Sequence, residues 1–444
     1  MGELYLKLIY YKNKLPKGSI LTVIQIVIKT FASLITVPLT INYLGNERYA
    51  VWVAALTIVT FISFLDAGIT PTILNKLSTS SINNDDKEFK SLFHTGIYIG
   101  VLILLLSIIF GLISPFIPIE KALNISSNVN INEIKILFSV LIIMTGLTLS
   151  LAIIDNVYYS KFIGHIPKIG SIFSSGLAII FVGICAYFEL GLPFLAIALL
   201  FPTILYRIIL FFGVSYFTKI ILFPLTRIKL NIIWDFVKQS FWFLLIRIFN
   251  WIFSASATLI LPTYVGLIFL TDFNINQKPY LVILSIVSAL QPLFWPYFTK
   301  YWNTDIKLFK LFFKKIIIIN SLALALFSFV FLLIGPWFIK FWTLGNVTTN
   351  RTILFLFSVW LILQSIVWWY STFLHSISDF KFEVLIFGIG AFMLILTSYV
   401  VNLMNLFNLA TFLMSVNGTL LITNLIPMVI RVRYLTNERK DYIL

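Results

Sequence analysis

Four cations stand inside stretches that are otherwise apolar: Lys29, Arg207, Arg247 and Lys278. A charge at mid-bilayer depth costs about 3 kcal/mol or more, so it is kept where it faces a wet cavity, pairs with an acid or reaches the interface. Around Lys29, the residues Thr22, Gln25, Ser33, Thr36 and Thr40 recur at steps of three or four, which is one face of a helix. A compact ammonium on such a stripe suits an anionic group such as a diphosphate or a sugar acid; the other reading is a lysine paired with a carboxylate to hold two helices together. Arg247 shares a face with Asn250, Ser254 and Thr258, and its planar fork suits bidentate phosphate binding. Lys278 shares one with Thr271, Asn274, Ser285 and Ser288, and lies either in a cavity or at the outer interface with its ammonium snorkelling. Gln25, Lys29, Arg247, Asn250 and Lys278 are therefore the candidate ligand-binding residues, while Arg207 is placed near the inner interface. Two acids, Asp66 (after Thr57, Thr60 and Ser63) and Asp155 (beside Asn156), are candidates for binding a coupling proton or sodium ion or for gating; the alternative for each is a structural pair. Trp295 and Trp368-Trp369-Tyr370 could stack on sugar rings, but packing and an interfacial belt explain them better.

The elements that must hold these side chains are membrane helices. The chain has 444 residues, 60% hydrophobic and only 11% charged. Soluble proteins carry about 25% charged residues, and apolar runs of spanning length recur along the whole chain, leaving no room for a soluble domain. One cysteine, Cys185, excludes an internal disulfide and a thiolate cluster, and the three histidines are too dispersed to suggest a metal site. No cofactor is expected. About twelve segments emerge, near 18–43, 47–74, 91–115, 134–160, 169–188, 191–216, 239–265, 271–298, 314–341, 351–375, 382–404 and 409–431. The first is read as a retained helix, since no small-residue cleavage site follows it.

The formal charge of +15 is mainly a topology signal. With both termini in the cytoplasm, most of the 32 basic residues fall on the inner side, including Lys7–Lys17, Lys300–Lys315 and Arg431–Lys440. That asymmetry follows the positive-inside rule and makes anionic membrane lipids natural partners. Nucleic-acid binding is not expected, because no basic soluble domain exists to present those charges. The loops are short, the inner stretch Ser78–Lys90 reads as a solvated connector, and the triplet at Asn124 carries no weight as a glycosylation site.

A faint duplication is present. Lys17-Gly18-Ser19 recurs as Lys238-Gln239-Ser240 and Leu44-Gly45 as Val265-Gly266, both at an offset of 221, and Phe89-Lys90 recurs as Phe309-Lys310. The expected architecture is all-α and integral to the membrane, with two pseudo-symmetric six-helix bundles of like orientation around a central cavity. The bundles are expected over 1–217 and 239–431, with a cytoplasmic connector at 218–238 and a tail at 432–444.

The stretch Tyr43-Leu44-Gly45-Asn46-Glu47-Arg48-Tyr49-Ala50-Val51-Trp52, followed by Phe64-Leu65-Asp66-Ala67-Gly68, resembles the start of the polysaccharide-export flippases (Wzx type). These belong to the multidrug/oligosaccharidyl-lipid/polysaccharide (MOP) superfamily. Leu290-Gln291-Pro292-Leu293-Phe294-Trp295-Pro296-Tyr297 is similar to that family's eighth-helix pattern. In the seventh segment, Ser254-Ala255-Ser256 stands in a region where some relatives place an acid. The resemblance implies a flippase of the bacterial inner membrane that moves a polyprenyl-diphosphate-linked oligosaccharide, an O-antigen or capsule repeat unit, to the outer leaflet by alternating access. It implies polysaccharide-assembly proteins as further partners. A multidrug or cation antiporter of the same superfamily is the second expectation. A membrane-embedded polymerase is the third and least favoured, since the outer loops are short and no catalytic constellation appears.

Overall fold

A computed structural model describes residues 17–441, apart from 61, 63, 65–68, 84, 120–122, 124–129, 162, 219–229 and 378. No strand occurs among the described residues. The first part of the chain forms α1 (Lys17–Val59), α2 (Ile69–Ile82), α3 (Asp86–Ile113), α4 (Ile131–Ser150), α5 (Ala152–Ser160), α6 (His165–Tyr187) and α7 (Leu192–Thr218). The second part forms α8 (Leu230–Tyr264), α9 (Ile268–Thr304), α10 (Ile306–Trp342), α11 (Arg351–Ser376) and α12 (Phe380–Leu403). It ends with α13 (Leu409–Thr419) and α14 (Ile426–Asp441), joined through a π-helical turn at Leu420–Leu425.

Ten helical stretches among the described residues are long and apolar enough to cross a membrane. The first of them bends into two arms, and α9, with 37 residues, makes a further crossing by length, which gives the expected twelve. The bend in α1 is at Gly45, whose φ of 71° and ψ of 171° break the helix. The turn from α8 to α9 uses Gly266 with φ 108°. Positive φ is open to glycine at little cost, whereas a Cβ is strained there. The two glycines that close the repeated dipeptides thus do the same job at the same place in each part of the chain.

Helix starts follow local chemistry. Asp85, Asn130, Asp305, Asn350 and Asn408 each accept hydrogen bonds from the first free backbone N–H groups of the helix that follows. Several helices run past the apolar segment read from the sequence. Residues 230–238, expected in the connector, belong to α8, and Ser78 lies in α2 and Glu88 in α3 rather than in a solvated loop. Apolar runs mark only the hydrocarbon-embedded turns, and the polar turns beyond them remain helical at the interface.

The pairings of the first six crossings recur in the last six. The α3–α4, α1–α6, α6–α7, α4–α7 and α2–α5 contacts are matched by α10–α11, α8–α12, α12–α13, α11–α13 and α9–α11. Outward faces are greasy: Leu322, Leu326, Phe329 and Leu333 of α10 are all well exposed, as suits a surface bathed in lipid tails. Inside, small residues allow close approach. A Cβ on Gly100 of α3 would come within 2.6 Å of the Ser150 carbonyl oxygen of α4, while one on Gly176 meets nothing within 4 Å. Gly100→Ala is expected to destabilise the protein by about 1–3 kcal/mol through overpacking, and Gly176→Ala to leave it unchanged. Thermal unfolding in detergent reads both.

Candidate substrate cavity

The first and second parts of the chain meet mainly where α1 runs against α9. Near Gly45, polar side chains stitch this seam. Asn346, just past α10, donates to Asn42 Oδ1 at 2.7 Å, and Asn46 donates back to the Asn346 carbonyl at 3.3 Å. Thr271 donates to the Asn46 carbonyl at 2.7 Å, and the Tyr49 hydroxyl donates to Asn274 Oδ1 at 3.2 Å. Deeper along the seam, the Trp342 indole donates to the Leu34 carbonyl at 3.1 Å, and Thr30 and Ser285 hydroxyls lie 3.0 Å apart. On the other flank, Trp251 of α8 donates to Thr60 Oγ1 at 2.8 Å and to the Thr57 carbonyl at 3.2 Å.

Between α1 and α9 lies a cavity of about 310 Å³. Lys29, Thr30 and Ser33 line it from α1, and Lys278 and Ser285 from α9, with Ile26, Leu281 and Val282 as its apolar part. Its size is at the lower end of the roughly 300–1,000 Å³ of small-molecule sites. Both lysines therefore reach one chamber from different helices. Lys29 is solvent-accessible there, and neither lysine forms a hydrogen bond or ion pair among the described residues. No carboxylate among the described residues lines the cavity. Such a chamber can hold a dense anion, with hydroxyls as secondary donors and an apolar wall beside it.

Other interior charges contrast with this. Arg207 Nη2 lies 2.8 Å and Nε 3.0 Å from Asp155 Oδ2. The same guanidinium also donates to the Thr148 carbonyl. Glu383, fully buried, lies 2.7 Å from His375 Nε2, and Arg431 pairs with Asp379 at 2.9 Å. Two lysines that share one cavity without a partner among the described residues, where Arg207, Glu383 and Arg431 each have one, mark the candidate site.

The sequence reading is met in part. Lys29 and Lys278 line one cavity. Gln25 stands one turn away, but its amide donates to Ser171 of α6 at 2.7 Å, so it ties two helices. Arg247 is exposed and lies outside this cavity, and Asn250 spends its amide on the Ile246 carbonyl of its own helix. The expected shared lining by Lys29 and Arg247 is thus corrected. α8 faces the flank of Thr57 and Thr60, whereas α9 is the partner of Lys29. Asp155 forms one arm of a buried pair with Arg207, the structural alternative read from the sequence. Arg207 is held in that pair, with its side chain largely buried. Asp66, the side chains of Thr22 and Trp295, and Asn124 lie outside the described residues. Trp369 is packed, 5.4 Å from Phe294 edge to face, in keeping with the structural reading of the aromatic cluster. Thr30 was missed because it stands beside the polar stripe and not on it. Its signal was an apposed hydroxyl, Ser285, on a helix whose neighbour no spacing reveals.

No family model matches the chain, and no curated protein matches it by sequence. Solved structures do. A multidrug resistance MATE family transporter of the MOP superfamily in an inward-facing conformation superposes with TM-score 0.68 at 14% identity, covering 94% of this chain and 96% of that one. An outward-facing conformation of a MATE family transporter gives 0.60 at 13%, covering 95% of each chain. A MOP superfamily transporter from Pyrococcus furiosus, described as having a binding pocket of reverse polarity that suggests a different function, gives 0.60 at 13% over 94% of both chains. This multi-pass membrane chain has, over nearly its whole length, the fold of the MATE transporters of the MOP superfamily.

Proposed function

We infer that the chain is a transporter that flips an anionic, lipid-linked oligosaccharide across the cytoplasmic membrane by alternating access. The observation that carries this is the cavity in which, among the described residues, two lysines stand unpaired and no acid is present. A cationic chamber attracts a diphosphate and repels the cations that a multidrug antiporter would export. The Pyrococcus furiosus protein, whose binding pocket is described as having reverse polarity that suggests a different function, supports reading this pocket by its charge. The motifs around Tyr43–Trp52 and Leu290–Tyr297 add the polyprenyl-linked O-antigen or capsule unit as the cargo. They also add polysaccharide-assembly proteins as partners.

Two six-crossing halves rocking about the α1–α9 seam would supply the motion. With both termini cytoplasmic, the amide-stitched end near Gly45 is the outer side, so the cavity belongs to an inward-open state. The higher similarity to the inward-facing relative, 0.68 against 0.60, supports this. Coupling to a proton or sodium ion would fall to Asp66 or to an ion outside the cavity, since Asp155 is neutralised by Arg207.

Vesicles containing the purified chain test the reading. A fluorescent polyprenyl-diphosphate oligosaccharide should cross faster than in protein-free vesicles, and a cationic dye should not. Oxidative cross-linking of Asn42→Cys with Asn346→Cys, in a Cys185→Ser background, should stop the flipping, and reduction should restore it. Dye export without glycan flipping would establish the antiporter instead.

A further inference from the structure

A second chamber of about 420 Å³ opens between the start of α10, the last third of α11 and α14. Three cations rim it: Lys310 and Lys314 from α10 and Arg433 from α14, with no carboxylate in its lining. Lys310 is held by Asn437 Oδ1 at 3.3 Å. Lys314 and Arg433 are exposed and form no ion pair among the described residues. Tyr370, braced edge to face against Phe313 at 5.0 Å, adds a hydroxyl beside them. Below the rim the lining turns apolar through Ile317, Ile318 and Val429.

The apolar part continues onto the lipid-facing surface. Lys314, Ile318, Leu322 and Leu326 follow at steps of four on one face of α10, and the last three are 46%, 66% and 66% exposed. A cationic mouth that leads along one helix face into an exposed aliphatic stripe matches an amphiphile, with an anionic head at the mouth and a hydrocarbon tail along the stripe. A free phosphate would use only the mouth. Basic pockets between membrane helices on the cytoplasmic side are suited to anionic lipid head groups.

We propose that the groove between α10, α11 and α14 is a binding site for an anionic glycerophospholipid of the leaflet on the α9–α10 side. It is separate from the Lys29–Lys278 cavity, and it stands whatever cargo that cavity carries. The site would seat a lipid phosphate on Lys310, Lys314 and Arg433 and lay one acyl chain over Ile318 and Leu322.

The test uses the purified full chain in neutral detergent, titrated with phosphatidylglycerol, phosphatidylcholine or inorganic phosphate, with bound lipid counted by native mass spectrometry and stability read by thermal shift. Phosphatidylglycerol should bind and raise Tm, while phosphatidylcholine and phosphate should not. Lys314→Glu with Arg433→Glu should weaken phosphatidylglycerol binding by roughly tenfold or more. Lys307→Glu with Lys315→Glu, exposed on the same helix outside the groove, should leave it unchanged. Lys314→Gln with Arg433→Gln provides a milder variant, whose lipid-free Tm should equal that of the wild type while the lipid-induced shift is lost. Equal binding of the two head groups, an undiminished lipid-induced shift in the groove variants, or the same loss in the control pair would overturn the proposal.

Discussion

Lys29→Glu is expected to abolish glycan flipping, and Lys278→Glu to do the same, while the protein remains folded. In the α1–α9 cavity each lysine faces the other helix across a space with no acid to satisfy it. A carboxylate there would turn attraction for a diphosphate into repulsion. Removing one partner of a buried charged contact costs about 2–5 kcal/mol in binding, and at about 1.4 kcal/mol per tenfold the loss should exceed roughly tenfold for each variant. Lys29→Gln should fall between, because the amide still donates but carries no charge. Stability provides the control. With no hydrogen bond or ion pair to break among the described residues, Lys29→Met should unfold at about the same temperature as the wild type. A flipping assay run beside a thermal melt would decide the matter. Full activity in Lys29→Glu at equal protein level removes the cavity from the mechanism. A collapse of Tm in Lys29→Met would instead return the lysine to a structural role.

Arg207→Ala should have the largest effect on stability. Asp155 is buried and receives two of the guanidinium's donors on one oxygen, while its other oxygen has no partner among the described residues. Truncating the arginine strands a carboxylate in the bundle interior and frees the Thr148 carbonyl as well. Breaking such a pair on one side costs about 3–5 kcal/mol. The double variant Arg207→Ala with Asp155→Ala should recover a substantial part, since the stranded charge is gone. Unfolding of the three proteins in detergent gives the coupling between the sites. A double variant as unstable as the single one would show that packing, and not charge, dominates at this position.

The contrast between these two pairs of residues shows what a single sequence makes legible. Helix number, the turn glycines at 45 and 266 and the polar face of α1 are local properties, written in runs and spacings of a few residues. They are where the reading and the structure agree. The partner of a charge is a different kind of fact. Asp155 and Arg207 lie on neighbouring helices 52 residues apart, and no periodicity announces that they touch. Arg247 shows the same gap from the other side. It sits on a polar face in the sequence, but on the helix that faces the opposite flank. Lys278 met Lys29 because α1 and α9 run antiparallel from the Gly45 end, a neighbour relation that the repeat hinted at but could not specify.

The stitches near Gly45 are carboxamides, hydroxyls and backbone carbonyls throughout. Each such neutral bond contributes about 0.5–1.5 kcal/mol, so a few of them make a clasp that thermal energy can undo and remake. Ionic strength has little hold on bonds without formal charge. A seam fastened in this way holds equally well in brine and in fresh water.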